Sequence, residues 1–185
     1  GTNRCAFLIV GYESSGSAIG ALTATWGASN FTSERTQITS NNGRPCMAVF
    51  SMKDADLPST SQAITVTNTN TANMNGVYAY LVQYSNVAQA DPVGAVGGYT
   101  NEFGDVHTSR GATLTITASN SVMLSGVFYR TGSTNFTVSA GTELFDTAGT
   151  RSRAAAEQFV TATGSTTHTY TSGVASTIAV EVLEA

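Results

Sequence analysis

One short run of apolar residues, 77–84, limits most strongly what this chain can fold into. The run reads VYAYLVQY and contains a single strongly polar residue. A membrane-spanning helix needs about 20 apolar residues, so a run this short suits a strand that is covered on both faces. We predict that residues 77–84 form the central strand of an all-β domain, beside residues 122–129. Tyr78, Tyr80 and Tyr84 should then share one face of that strand.

Further strand-like runs follow at short spacing along the chain. Residues 5–12 and 121–130 are apolar on both faces and should lie close together in the core. Residues 62–67 and 112–117 instead alternate apolar and polar residues, as half-exposed strands do. Turn-forming sequences separate the runs, and no segment is convincingly helical. About ten or more strands of this kind predict a two-sheet antiparallel β-sandwich with jelly-roll topology.

Residues 151–160 are the one segment with intrinsic helical propensity, because three consecutive alanines precede Glu157 and Gln158. Every neighbouring segment is strand-like, and tertiary context often overrides propensity. We therefore predict a strand here and keep a helix as the alternative. Residues 91–110 are rich in glycine and polar residues and are predicted to be mainly loop, with a short strand near Tyr99. Function could sit in such a loop.

Composition bears on domain number, partners and location. A length of 185 residues fits one β-sandwich domain, residues 1–185. The net charge of −4, with eight scattered basic residues, provides no basic stripe for phosphates, so we expect no nucleic-acid partner. No run approaches the length of a membrane span. Charged residues make up only 11% of the chain and Lys53 is its single lysine, which favours an extracellular or virion-surface location.

The two cysteines, Cys5 and Cys46, each lie in an apolar, strand-like run. They could face one another across neighbouring strands and form a disulfide, which would contribute on the order of 4 kcal/mol by closing a loop of about 40 residues. They could equally be two buried, reduced thiols that act as small apolar residues. The sequence leaves both possibilities open.

Asp54 and Asp56 are the candidate metal ligands. Together with Glu13, Glu102 or Asp105 they could form part of an oxygen-rich calcium site, since calcium takes six to eight oxygen ligands. The spacing lacks the remaining acidic positions and the glycine of a calcium-binding loop, which favours solvated carboxylates. We therefore expect no cofactor, with calcium as the alternative.

His107 and His168 are the only histidines, and neither has the neighbouring ligands that a zinc site needs. We expect both at the surface or in light packing. A Ser/His/Asp hydrolase would also need a nucleophile turn of the Gly-x-Ser-x-Gly type, and the chain contains none. We therefore expect a protein without enzymatic activity.

Aromatic side chains are the candidate ligand-binding residues. Tyr12, Tyr99 and Tyr170 could stack on sugar rings if they are exposed, because an aromatic ring presents an apolar face at little cost in conformational entropy. Trp26 could do the same, but its position beside Gly27 favours a place in the core.

The order of motifs along the chain resembles a recurrent β-sandwich module of phage-encoded and secreted bacterial surface proteins. The resemblance covers most of the chain and rests on short elements: Asn3-Arg4 before the first strand, Thr25-Trp26-Gly27, Ala48-Val49-Phe50, the apolar run, Ser85-Asn86-Val87, Asp91-Pro92-Val93-Gly94 and the closing Val180-Glu181-Val182-Leu183. It implies a structural or adhesive module with no shared chemistry, and it carries no catalytic residue to this chain.

These observations together favour a non-enzymatic structural subunit of an extracellular or virion surface assembly. Such a subunit would form a homo-oligomer or attach to a larger particle, because a sandwich leaves strand edges and this chain has few charges to guard them. The alternative is a carbohydrate-binding or adhesion module that uses loop aromatics to hold a glycan.

Overall fold

Fourteen β-strands and one 3₁₀ turn make up the part of the chain that the structure describes. In the computed structural model these residues are 2–14, 21–37, 44–68, 74–99, 109–129, 135–149, 151–171 and 175–185. The strands are β1 (Cys5–Ser14), β2 (Leu22–Trp26), β3 (Ser29–Asn30), β4 (Thr32–Gln37), β5 (Arg44–Lys53), β6 (Ile64–Asn68), β7 (Met74–Tyr84), β8 (Val93–Tyr99), β9 (Ser109–Ile116), β10 (Ser121–Tyr129), β11 (Thr142–Thr147), β12 (Ser152–Val160), β13 (Gly164–Thr171) and β14 (Ala175–Val182). The 3₁₀ turn is Asp54–Asp56.

The prediction of an all-β protein with ten or more strands is confirmed, since no α-helix occurs among the described residues. Within those same ranges, no helix has the length and apolar character that crossing a bilayer requires. Residues 151–160, for which a strand was predicted over a helix, form β12. Residues 93–99, predicted to be mainly loop, form β8, because they pair with β14 at the edge of a sheet.

Two antiparallel sheets form the centre of the molecule. The first has the strand order β4-β5-β1-β7, and the second has the order β11-β12-β10-β14-β8. Phe7 and Ile9 of β1 share one apolar cluster with Leu124 and Phe128 of β10, so the two sheets pack face to face. These sheets are the predicted sandwich, and the expected proximity of residues 5–12 to residues 121–130 is confirmed.

Each central sheet carries a further layer on its outer face. The sheet β3-β2-β6 covers the first, where Leu22 of β2 shares a cluster with Leu8 of β1. The sheet β13-β9 covers the second, where Leu114 of β9 shares a cluster with Met123 of β10. The molecule therefore has four layers. This explains why β1 and β10 are apolar on both faces, since strands covered on both sides lose the alternating pattern. The jelly-roll topology stays a prediction.

The prediction that residues 77–84 form the central strand is wrong. They belong to β7, which among the described residues pairs with β1 alone and lies at the edge of the first sheet. The strand is not beside β10 either, because β10 belongs to the opposite sheet. Tyr78, Tyr80 and Tyr84 do share one face, as predicted, and pack into the core between the central sheets. The apolar character of β7 comes from this aromatic inner face, whereas Val77 on the other face is 41% exposed.

Candidate functional site

No disulfide joins Cys5 and Cys46, and both side chains are buried as thiols. The register of β1 and β5 pairs Cys5 with Lys53 and Cys46 with Tyr12, at opposite ends of the strand pair. The two thiols also enter different clusters on opposite faces of the sheet. A disulfide needs Cβ atoms about 3.5–4.5 Å apart, which this arrangement forbids. Burial raises the pKa of Cys5 to about 11, so its thiol is protonated at neutral pH.

Two of the three tyrosines predicted to stack on sugar rings, Tyr12 and Tyr170, are buried in the fold. Tyr12 is 0% exposed, because the outer sheet β3-β2-β6 covers its face of β1, and Tyr170 of β13 is 1% exposed, because its ring packs inward against β10 and β12. The side chain of Tyr99 lies outside the described residues. Trp26, for which a core place was favoured, is half-buried against the cluster beneath the outer layer. Its ring stacks on Phe31 at 6.4 Å between ring centroids.

The acidic candidates that the structure describes, Asp54, Asp56 and Glu13, do not come together as a metal site. Asp54 accepts a hydrogen bond from Arg4 Nε at 2.6 Å, and Asp56 is exposed. Glu13 lies elsewhere, with Oε2 at 2.9 Å from Arg151 Nη2. The other two candidates, Glu102 and Asp105, lie outside the described residues. Among the residues that the structure does describe, no group of three His, Cys, Asp or Glu side chains could hold a metal ion.

The expectation that His168 lies at the surface or in light packing is wrong, since His168 is fully buried. Its Nδ1 lies 2.6 Å from Ser125 Oγ, and its Nε2 lies 3.1 Å from Gln158 Oε1. Ser125 Oγ is also 2.6 Å from Tyr170 Oη. His107, the other histidine, lies outside the described residues.

One assignment of protons satisfies the three side-chain contacts of this network. Tyr170 donates its hydroxyl proton to Ser125, Ser125 donates to His168 Nδ1, and His168 Nε2 donates to Gln158 Oε1. Burial lowers the pKa of His168, which favours the neutral ring that this assignment needs.

The serine–histidine contact resembles half of a hydrolase site, but its surroundings point to a structural role. Ser125 and His168 are both 0% exposed, so a substrate has no approach to the serine hydroxyl. The group that faces the second ring nitrogen is an amide, whereas a catalytic triad has a carboxylate there. The network therefore fixes β13 against β10 and β12 by satisfying polar groups that would be costly to bury alone.

A second buried polar group, Glu181 of β14, was not singled out from the sequence. Its carboxylate accepts hydrogen bonds from the backbone N–H groups of Ala95, Thr117 and Ala118 and from the Thr117 hydroxyl, at 2.8–3.1 Å. Burial by itself raises the pKa of Glu181, but these donors outweigh burial and leave the pKa below its ordinary value. Glu181 thereby ties β8 and the β9–β10 turn to β14.

An open cleft of about 250 Å³ lies between the two central sheets, at the edge formed by β7 and β11. We call it the tyrosine cleft. Its floor is apolar and comes from the facing strands β1, β5 and β10. Its lining consists of Ile9, Gly11, Met47, Tyr78, Ala79, Tyr80, Val127, Phe128, Phe145, Thr147, Arg153 and Ala154.

Aromatic rings and one guanidinium group give the tyrosine cleft its chemistry. Tyr80 packs on Phe145 across the sheets at 4.6 Å between ring centroids, and Tyr78 packs on Phe128 at 5.8 Å. The guanidinium carbon of Arg153 lies 3.9 Å from the centre of the Tyr78 ring, a cation–π contact. The arrangement can hold an apolar group between rings and present a positive charge to it.

Sequence reasoning identified only part of this cleft, the common face of Tyr78 and Tyr80. The remaining lining comes from five other strands, and no local pattern brings those strands together. Phe145 and Arg153 lie in segments whose strand signals are weak or ambiguous.

Comparison of the chain with protein-family models, with curated proteins and with solved structures finds no match. What the protein binds or assembles with is therefore inferred from its own residues and their geometry.

Proposed function

We propose that this protein is a non-enzymatic structural subunit of an extracellular or virion surface assembly, and that it self-associates through the outer edge of β7. The outer edge is the side of β7 that faces away from β1. One observation carries the proposal: an eleven-residue strand without a single charged side chain lies at the edge of a central sheet. An edge strand presents backbone N–H and C=O groups that can pair with a strand of another molecule.

The other edge strands of the central sheets differ from β7. Strand β4 carries Glu34 and Arg35, and β11 carries Glu143 and Asp146, charges that discourage strand addition. Strand β8 has no charge, but it is shorter, contains three glycines and pairs with an irregular register. Edge protection is therefore weakest at β7, as expected for a strand that pairs with a copy of itself or with a neighbouring subunit.

Other features are consistent with a structural role. The chain is poor in charge, its exposed strand positions are rich in threonine and serine, and the Ser125–His168 pair is buried between the second central sheet and the β13-β9 layer. The resemblance to surface-protein sandwich modules points in the same direction.

The first experiment compares wild type with Val77→Lys and with Ala162→Lys by analytical ultracentrifugation over a range of concentrations. Val77 is exposed on β7, whereas Ala162 is exposed in a bend far along the chain, so both variants add the same charge. We expect Val77→Lys to weaken self-association about tenfold or more, because like charges would meet in the paired strands. Ala162→Lys should associate as wild type does.

A wild-type protein that stays monomeric at high concentration would overturn self-association. Equal association of all three proteins would overturn the outer edge of β7 as the contact. Electron microscopy of the native material then distinguishes a filament from subunits that decorate a particle.

A further inference from the structure

We propose that the tyrosine cleft is a binding site for a small amphipathic carboxylate, a ligand with an apolar or aromatic body and one carboxylate group. The inference goes beyond the proposed structural role and does not depend on self-association, because the cleft lies within a single molecule.

The apolar body of the ligand is indicated by the floor of the cleft. Ile9, Met47 and Phe128 form this floor, and all three belong to the core between the central sheets. A strongly hydrated ligand, such as a neutral sugar, would lose water there without gaining hydrogen bonds. An aliphatic or aromatic group gains apolar contact and fits between the rings of Tyr78 and Tyr80.

The carboxylate is indicated by Arg153. Its guanidinium group stacks on Tyr78, and within the described part of the chain its only hydrogen bond is from Nη1 to the Arg151 carbonyl, at 3.3 Å. No acidic side chain in that part lies within ion-pair distance of Arg153. The remaining N–H donors can therefore bind a carboxylate, for which the planar guanidinium fork is suited.

Glu157, which lies outside the lining of the cleft, places negative charge near its Tyr80 end and so helps to orient the ligand. Glu157 accepts a hydrogen bond from Tyr84 Oη, and together with burial its charge raises the pKa of Tyr80. A ligand carboxylate is repelled from this end and attracted to the end at Arg153. A cationic ligand would instead be repelled by the positive charge of Arg153.

The volume limits the size of the ligand. About 250 Å³ lies just below the range of about 300–1,000 Å³ that is typical of sites for drug-sized ligands. The site therefore fits a ligand with a single ring or a short chain. For so small a ligand we expect a dissociation constant on the order of 1 mM.

The test uses 3-phenylpropionate as the probe, with 3-phenylpropanol and 3-phenylpropylamine as neutral and cationic analogues. Binding is followed by NMR on protein labelled at the methionine methyl groups, with protein dilute enough to be monomeric. Met47 lines the cleft, whereas Met52 and Met123 lie in other clusters and act as internal controls. We expect 3-phenylpropionate to shift the Met47 signal and to leave the Met52 and Met123 signals in place.

The analogues and two variants test the part played by Arg153. We expect the neutral alcohol to bind about tenfold more weakly than the carboxylate, and the amine more weakly still, because a charge-assisted hydrogen bond is lost. Arg153→Gln should remove this preference, whereas Arg35→Gln, the same charge change on β4, should keep it. Unshifted Met52 and Met123 signals in Arg153→Gln confirm that the variant is folded.

Two results would overturn the proposal. If Met47 does not respond to saturating 3-phenylpropionate, the cleft is not the site. If wild type binds the acid and the alcohol equally well, Arg153 does not select a carboxylate, and this comparison needs no variant. Neither result bears on self-association, which is measured separately.

Discussion

Single buried residues show how a chain with so little charge uses the polar groups that it does bury. Glu181 has no basic partner among the described residues, and its negative charge is met by backbone N–H groups and one hydroxyl. Ser125, His168 and Tyr170 form a network in which each buried polar group finds a partner. Buried polar groups are tolerated when they are fully hydrogen-bonded, and here they connect separate layers.

Leu8 and Leu81 offer a direct comparison of a central with an edge position, because they are register partners on β1 and β7. Leu8 is fully buried, so Leu8→Ala should cost about 2–5 kcal/mol of unfolding free energy. Leu81 is half-buried, so Leu81→Ala should cost less, about 1–2 kcal/mol. Urea denaturation of both variants provides the measurement. An equal or larger loss for Leu81→Ala would contradict the edge position of β7.

At the scale of elements, close approach of the central sheets depends on small residues at their crossing. A Cβ atom on Gly11 would lie 2.8 Å from the ring of Phe128, and a Cβ atom on Gly126 would lie 2.9 Å from Ile9 Cγ2. The glycines of β1 and β10 therefore leave room for large side chains of the facing sheet. Three alanines in the middle of β12 have the same effect, which is why a helix-forming sequence serves as a strand between two layers.

The close contact at Gly126 gives a prediction. Gly126→Ala should destabilise the protein by about 1–3 kcal/mol, because the added methyl group forces Ile9 and Met47 to move. Gly149→Ala is the matched control, since the nearest atom to its new Cβ would be 4.0 Å away. Thermal unfolding of the two variants should separate them clearly. Similar melting temperatures would show that the space between the central sheets accommodates a methyl group at residue 126.

For the whole molecule, two buried groups that tie the second central sheet to the β13-β9 layer and to the β9–β10 turn make stability depend on pH. The folded state holds His168 with a lowered pKa, so the unfolded chain binds its proton more readily. The folded state also holds Glu181 with a lowered pKa, so the unfolded chain again binds the proton more readily than the folded state does. Both groups therefore stabilise the folded state at higher pH, and each contribution is lost on acidification in its own pH range.

We expect two successive losses of stability on acidification. The His168 contribution is complete above its unfolded pKa of 6.5 and falls as the pH drops below that value. The Glu181 contribution is complete above 4.5 and falls as the pH drops through the folded pKa. Urea denaturation between pH 8 and pH 3 measures both contributions. His168→Gln should lower the free energy of unfolding at neutral pH and remove its dependence on pH just below 6.5, while the loss at lower pH remains. If the free energy of unfolding of the variant falls below pH 6.5 as steeply as that of wild type, the assignment to His168 is contradicted.

The sequence by itself determined the all-β class and several of the strands, because strand patterns are local, but it missed most of β8. Alternation and short apolar runs separated by turns identified β1, β6, β7, β9 and β10, and the strand-like neighbours of residues 151–160 correctly favoured a strand for β12. Tertiary structure alone decided the order of the strands and the number of layers. Residues 77–84 read as a central strand, and they form an edge because pairing is set by segments distant in the chain.

The functional sites depend on such distant contacts even more strongly. Ser125 and His168 are 43 residues apart, and the lining of the tyrosine cleft comes from six strands of two sheets. The sequence indicated that Tyr78 and Tyr80 share one face of a strand, but it could not show that this face borders a cleft. It also could not show that His168 is buried. Burial and proximity arise only when non-local strands pack, and no local pattern records them.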